Sequence, residues 1–146
     1  MPASSALVRD RLVALLEAMV ADPGLDVVAV EVVDGRVAVR MRQTVRDFTT
    51  VWCDVGDRTV RFEAYVLPAP VAQPEAVYRQ VLVRNARMRD AAFALDGEGA
   101  IVLVARVPVE SVDDHRLGLV LAELWEDVEL AFPSLVRLAF GREKSG

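Results

Sequence analysis

At 146 residues the chain has the size of one domain, able to bury roughly 70% of the surface its unfolded form exposes, and it is expected to fold as a single unit with ends at 1–4 and 141–146 frayed. A formal net charge of −5 argues against a nucleic-acid partner, since affinity for polyanions comes largely from clustered Lys and Arg. The lone Cys53 allows no internal disulfide and points to a reducing, cytoplasmic setting, and because Arg9, Asp10, Arg11 and Glu17 punctuate Leu7 to Val20, neither an apolar signal core nor a membrane span is expected there.

Residues 5–21 read as an amphipathic helix, with Val8, Leu12, Leu15, Leu16 and Met19 at three- and four-residue steps. Asp22-Pro23-Gly24 stops it. The period then changes to two. Strands at 25–33 and 36–43 flank Asp34-Gly35, the dipeptide of a tight type I′ turn. A second pair, 47–54 and 58–66, surrounds Val55-Gly56-Asp57. Pro68 and Pro70 break the next stretch, and Pro74 suits the first turn of a helix predicted over 74–88.

A third hairpin, 91–95 and 100–107, turns on Asp96-Gly97-Glu98-Gly99. Ser111 is placed to cap the last helix, with Asp113 and Asp114 in its first turn. That helix should run to about Phe132, where Pro133 either kinks it or starts a short terminal helix through Phe140. The expected architecture is α+β, an antiparallel sheet with helices packed on it, in the order α-β-β-β-β-α-β-β-α.

The chemistry-bearing residues form no catalytic constellation. Gly97 and Gly99 lie between two strands, where a hairpin turn explains them better than a phosphate-binding loop. Cys53 falls in a strand beside Val51 and Val55, the place of a small buried hydrophobe, and His115 falls in the first turn of a helix beside two acids, the place of a solvated surface histidine. Glu123, Glu126, Asp127 and Glu129 share a helix without a histidine at ligand spacing, which favours a solvated acidic face over a metal site. No cofactor or metal is expected.

Two surfaces stand out. Arg36, Arg40 and Arg42 alternate with Val37, Val39 and Met41, so the arginines share one side of a strand. They form either an ordinary exposed face or, with Trp52 and Tyr65 as anchors, a surface for a peptide or ligand. The strands 25–33 and 101–105 are largely apolar on both sides. Taking Leu25, Val27, Ala29 and Val33 as one side leaves Val28, Val30 and Val32 on the other. Together with Val102 and Val104 these form a candidate dimer or partner surface, unless helices of the same chain cover them.

The strings Val81-Leu82-Val83-Arg84-Asn85, Ala92-Phe93-Ala94-Leu95-Asp96-Gly97-Glu98-Gly99 and Ala131-Phe132-Pro133-Ser134-Leu135, in this order of elements, resemble the YbjN-domain family of bacterial sensory transduction regulators. The resemblance implies a fold like that of the small dimeric type III secretion chaperones, which wrap extended segments of partner proteins and carry no catalytic residues. The chain departs from them in placing four strands rather than three before its middle helix, and no family site residues carry across. The expected function is a non-enzymatic protein-binding module, chaperone-like or regulatory, homodimeric and with a further protein partner. The competing reading is a small-ligand sensor or unrecognised enzyme whose sheet and helices enclose a pocket around Trp52, Tyr65 and an arginine.

Overall fold

A computed structural model describes residues 4–141. Its elements are α1 (Ser5–Val20), β1 (Val27–Val33), β2 (Arg36–Arg42), β3 (Phe48–Val55), β4 (Thr59–Leu67), α2 (Pro74–Asn85), β5 (Ala91–Leu95), β6 (Ile101–Pro108) and α3 (Asp114–Phe140), with one 3-10 turn at Val109–Ser111. The strands form one antiparallel sheet in the order β1-β2-β3-β4-β6-β5. This is the predicted α+β succession.

Local chemistry accounts for the boundaries. Ser4 Oγ accepts the Leu7 N–H at 3.2 Å and caps α1. Asp34 and Gly35 both hold positive φ, 52° and 80°, as a type I′ turn between twisted strands requires. Helix α2 stops at Asn85 rather than Met88, because the Asn85 side chain turns aside to β5. Its Nδ2 donates to Phe93 O at 3.2 Å and its Oδ1 accepts from Phe93 N at 2.7 Å.

The cap of α3 is Asp113, whose Oδ1 accepts the Arg116 N–H at 2.8 Å. Ser111 is used instead in the 3-10 turn before it. Pro133 does not end α3, which continues to Phe140 and closes on Gly141 at φ 63°. Leu124, Val128, Ala131, Leu135 and Ala139 keep one buried stripe through the proline. Burying those side chains outweighs the ~3 kcal/mol that an interior proline costs. Of the expected frayed ends, Ser4 and Gly141 are thus helix caps, and the remainder lies outside the described residues.

One face of the sheet carries the core. Val37, Cys53, Phe62, Ala105 and Ala91 stand in one cross-strand row, and Val39, Val51, Ala64, Leu103 and Phe93 in the next. All are buried and join Leu12 and Leu16 of α1, Val77 and Val81 of α2 and the stripe of α3 in one cluster. The three helices therefore cover the same face, and the other is left without helices.

Strand β1 corrects the sequence reading. A bulge between Val27 and Ala29 shifts its register, so Val27 pairs with Met41 while Val30 and Val32 pair with Val39 and Val37. A bulge sets one extra residue against the partner strand and changes which face the following side chains meet. Val27, Val30 and Val32 therefore share the helix-covered face. Ala29, Glu31 and Val33 point the other way, and Val28 is the extra residue.

Candidate functional site on the open face of the sheet

The helix-free face is built by the alternate residues of the same strands. One row runs across the whole sheet: Glu31, Ala38, Trp52, Glu63, Val104 and Ala92. Small residues at Ala38 and Ala92 leave the Trp52 ring and Val104 as the relief of its middle. The next rows carry Asp54, Arg61 and Arg106 on one side, and Tyr65, Val102 and Ala94 on the other.

The charges on this face are organised by the strand alternation. Arg36 binds Asp54 through two contacts, Nε to Oδ1 at 2.5 Å and Nη2 to Oδ2 at 3.0 Å, the fork geometry that suits a guanidinium and a carboxylate. Its guanidinium also lies 4.6 Å from the centre of the Trp52 ring. Hydrogen bonding to Asp54 pushes Arg36 above its ordinary range, against the opposing effect of burial. Arg40 sits 4.9 Å over Phe48, and Arg61 Nη1 donates to Glu63 Oε1 at 2.6 Å. Stacked guanidinium–aromatic pairs of this kind hold their cations at about 0.5–1 kcal/mol each at exposed sites.

All five residues of the predicted arginine–aromatic surface, Arg36, Arg40, Arg42, Trp52 and Tyr65, share this face. Arg42 stands at its end, 4.0 Å from Asp26, and Tyr65 is 43% exposed. Burial, joined by the charge of Asp96, raises the Tyr65 phenol.

The predicted valine surface is divided. Val104 and Val102 lie on the open face, but Val102 is only 1% exposed and presents little of itself. Val28 is the extra residue of the bulge, and Val30 and Val32 lie on the opposite face in β1, which β2, β3 and β4 separate from β6. Val28, Val30, Val32, Val102 and Val104 therefore do not form one contiguous patch.

Phe48 and Asp54 escaped the sequence reading, although Phe48, Thr50, Trp52 and Asp54 follow the same period of two that identifies Trp52. Cys53 is buried in the core, where burial pushes its thiol up, while His115 is exposed at the start of α3. The acids of α3 are not simply a solvated face. Glu123 accepts the backbone N–H groups of Asp90 and Ala91 at 3.2 and 3.1 Å, and Glu129 holds the β2–β3 loop. Among the described residues no group of three or more His, Cys, Asp or Glu is placed to hold a metal ion, and no helix is long and apolar enough to cross a membrane.

Known proteins fit this architecture. In the ExsC–ExsE complex one chain superposes with a TM-score of 0.61 at 20% identity, covering 92% of this chain and 97% of the other. A chain of the heterodimeric ExoU–SpcU complex from the type III secretion system of Pseudomonas aeruginosa gives 0.54 at 19% identity, covering 77% and 91%. The Yersinia pestis type III secretion chaperone SycH, in complex with a fragment of YscM2, is a further neighbour of this fold. In sequence, the uncharacterized protein ML2442 of Mycobacterium leprae is 37% identical over 92 residues, which are 63% of this chain and 50% of the relative. Rv0487 of Mycobacterium tuberculosis is 38% identical over 86 residues, 59% of this chain and 47% of the relative. The chain thus spans about half the length of the curated relatives it matches. Residues 12–136 match YbjN, described as "Putative bacterial sensory transduction regulator", and the chain, with its type III secretion chaperone-like fold, belongs to the YbjN family.

Proposed function

We propose that the chain is a non-enzymatic, cytoplasmic protein-binding module, chaperone-like or regulatory, which works as a homodimer and holds an extended segment of a partner protein on the open face of its sheet. One observation carries this reading: a helix-free face whose central row, Ala38, Trp52, Glu63, Val104 and Ala92, sets an aromatic ring and a valine among small residues and ordered ion pairs. Apolar relief bordered by fixed charge is the pattern of a protein interface, with an anchor at its centre and a polar rim around it. The solved neighbours are themselves complexes with partner proteins, which supports the class of function. A pocket closed by sheet and helices around Trp52 and Tyr65 is not available, because the helices cover the other face.

A photo-crosslinking amino acid at Ala92, compared with one at the exposed Leu7 of α1, tests the reading in the native host. The Ala92 probe should capture a defined protein, and Trp52→Ala with Arg36→Glu should remove that product at unchanged fold. Capture that is equal at both positions, or indifferent to the substitutions, defeats it. Size-exclusion chromatography with light scattering tests the dimer, and a clean monomer across micromolar concentrations would remove that part.

A further inference from the structure

On the helix side of the molecule, α1 and α3 do not close against each other along their full length. Between them lies a cavity of 190 Å³ walled by Met19, Leu25, Met41, Leu121 and Trp125. It adjoins a shallower hollow of 480 Å³ that shares Met19, Leu25 and Gly118 and is bordered by Asp22, Asp114 and His115. We propose that this trough is a second docking site, for a partner segment that presents one bulky apolar side chain flanked by lysine or arginine.

Its walls are suited to such a guest. The Trp125 indole Nε1 donates to Arg42 O at 2.7 Å, which satisfies its polar atom and fixes the ring as a rigid apolar wall. Met19 and Met41 are unbranched and polarizable, able to adjust to the shape of what enters. Gly118 keeps the trough open. A Cβ there would meet Met19 Cε at 3.7 Å, an ordinary contact, so a methyl group fits and anything longer grows into the trough.

The size and charge select the occupant. Pockets for small molecules usually span ~300–1,000 Å³, whereas an apolar void of roughly 150 Å³ takes a single benzene ring. The inner cavity therefore suits one large side chain. Leu25 and Leu119, 42% and 55% exposed, carry the apolar surface outward. Asp22, Asp26 and Asp114 border it with negative charge, and Arg42 offsets only Asp26, at 4.0 Å between two largely exposed groups. An apolar floor beneath a carboxylate rim favours a hydrophobic side chain between cations. The trough lies on the face opposite the central sheet row, so this proposal stands or falls separately from the reading of the open face.

The test uses the full chain with carbon-13 labelled methionine methyl groups and a short synthetic peptide holding Phe between arginines. The peptide should shift the methyl signals of Met19 and Met41 and the indole signal of Trp125, leaving Met88 unmoved. It should bind about tenfold more tightly than its glutamate-flanked twin at low salt. Asp22→Asn combined with Asp114→Asn should erase most of that preference, and Gly118→Leu should block binding by filling the trough. Should Gly118→Leu unfold the protein, the two exposed Asn substitutions still decide the matter. Unmoved Met19 and Met41 at millimolar peptide, equal binding of the acidic twin, or shifts centred on Trp52 would each overturn the proposal.

Discussion

The carboxylate of Glu129, midway along α3, accepts both the backbone N–H of Thr44, at 2.8 Å, and its hydroxyl. Gln43 Nε2 at 2.6 Å and the Val45 N–H at 3.2 Å complete the set. The same loop is held from its other end, where Arg46 donates to the carbonyls of Tyr65 and Val66, both at 2.6 Å, and lies 4.8 Å over the Phe132 ring. The β2–β3 loop is thereby fixed to both α3 and β4, and the ends of the strands that carry Arg42 and Phe48 are fixed with it.

Glu129→Ala should therefore destabilise the fold by about 1–2 kcal/mol, the net worth of hydrogen bonds to a charged acceptor reduced for solvent exposure. Burial alone would raise this carboxyl, but the donors of Thr44, Val45 and Gln43 outweigh it and hold it below its ordinary value of 4.5. A carboxyl depressed in the folded state stabilises above its ordinary value, and that contribution disappears as pH falls through the folded one. Urea unfolding at neutral pH and near pH 3 measures both effects. An unchanged midpoint at neutral pH would show the clamp to be idle.

Asp127 has the opposite sign. Its Oδ2 is buried without a hydrogen-bond partner, and burial, with the charges of Glu123 and Glu126 adding and Arg84 opposing, pushes the carboxyl up to about 7. A carboxyl raised in the folded state favours folding fully below its unfolded value of 3.8, and that advantage is lost as pH rises through about 7. Asp127→Asn should be nearly neutral at pH 4 and stabilise by about 1–2 kcal/mol at pH 8, after allowance for partial exposure. Thermal unfolding of both proteins at the two pH values decides it. An equal gain at each would mean that charge is not the cause.

Val30 is partly buried against the core from the β1 edge of the sheet. Val30→Asp places a carboxylate beneath α1 and should cost about 1–3 kcal/mol of stability. Denaturant unfolding alongside light scattering separates the possibilities. Full stability with a loss of self-association would instead make Val30 an interface residue.

The features readable from the sequence are those decided by neighbours along the chain. Asp34-Gly35 carried its turn geometry in two residues, and the alternation in β2 put Arg36, Arg40 and Arg42 on one face. The same alternation in β3 and β4 added Trp52 and Tyr65. What could not be read depended on partners far along the chain. The bulge in β1 is a matter of register against Met41 and Val39, and it moved Val27 to the face of Val30 and Val32. Ser111 and Asp113 are both good caps, and the 3-10 turn between β6 and α3 decides for Asp113. Glu129 looked like any exposed helix acid because its partners, Gln43 to Val45, belong to a loop in the first half of the chain.

The place of Cys53 in the buried row between Val37 and Phe62 has a practical corollary. Its sulfur is 0% exposed and its thiol is held protonated by burial, while modification requires an accessible thiolate. A thiol reagent therefore finds this sulfur only when the core opens, so the rate of labelling at Cys53 counts openings of the native state. The molecule carries its own stopwatch, readable without any introduced label because Cys53 is the one cysteine of the sequence.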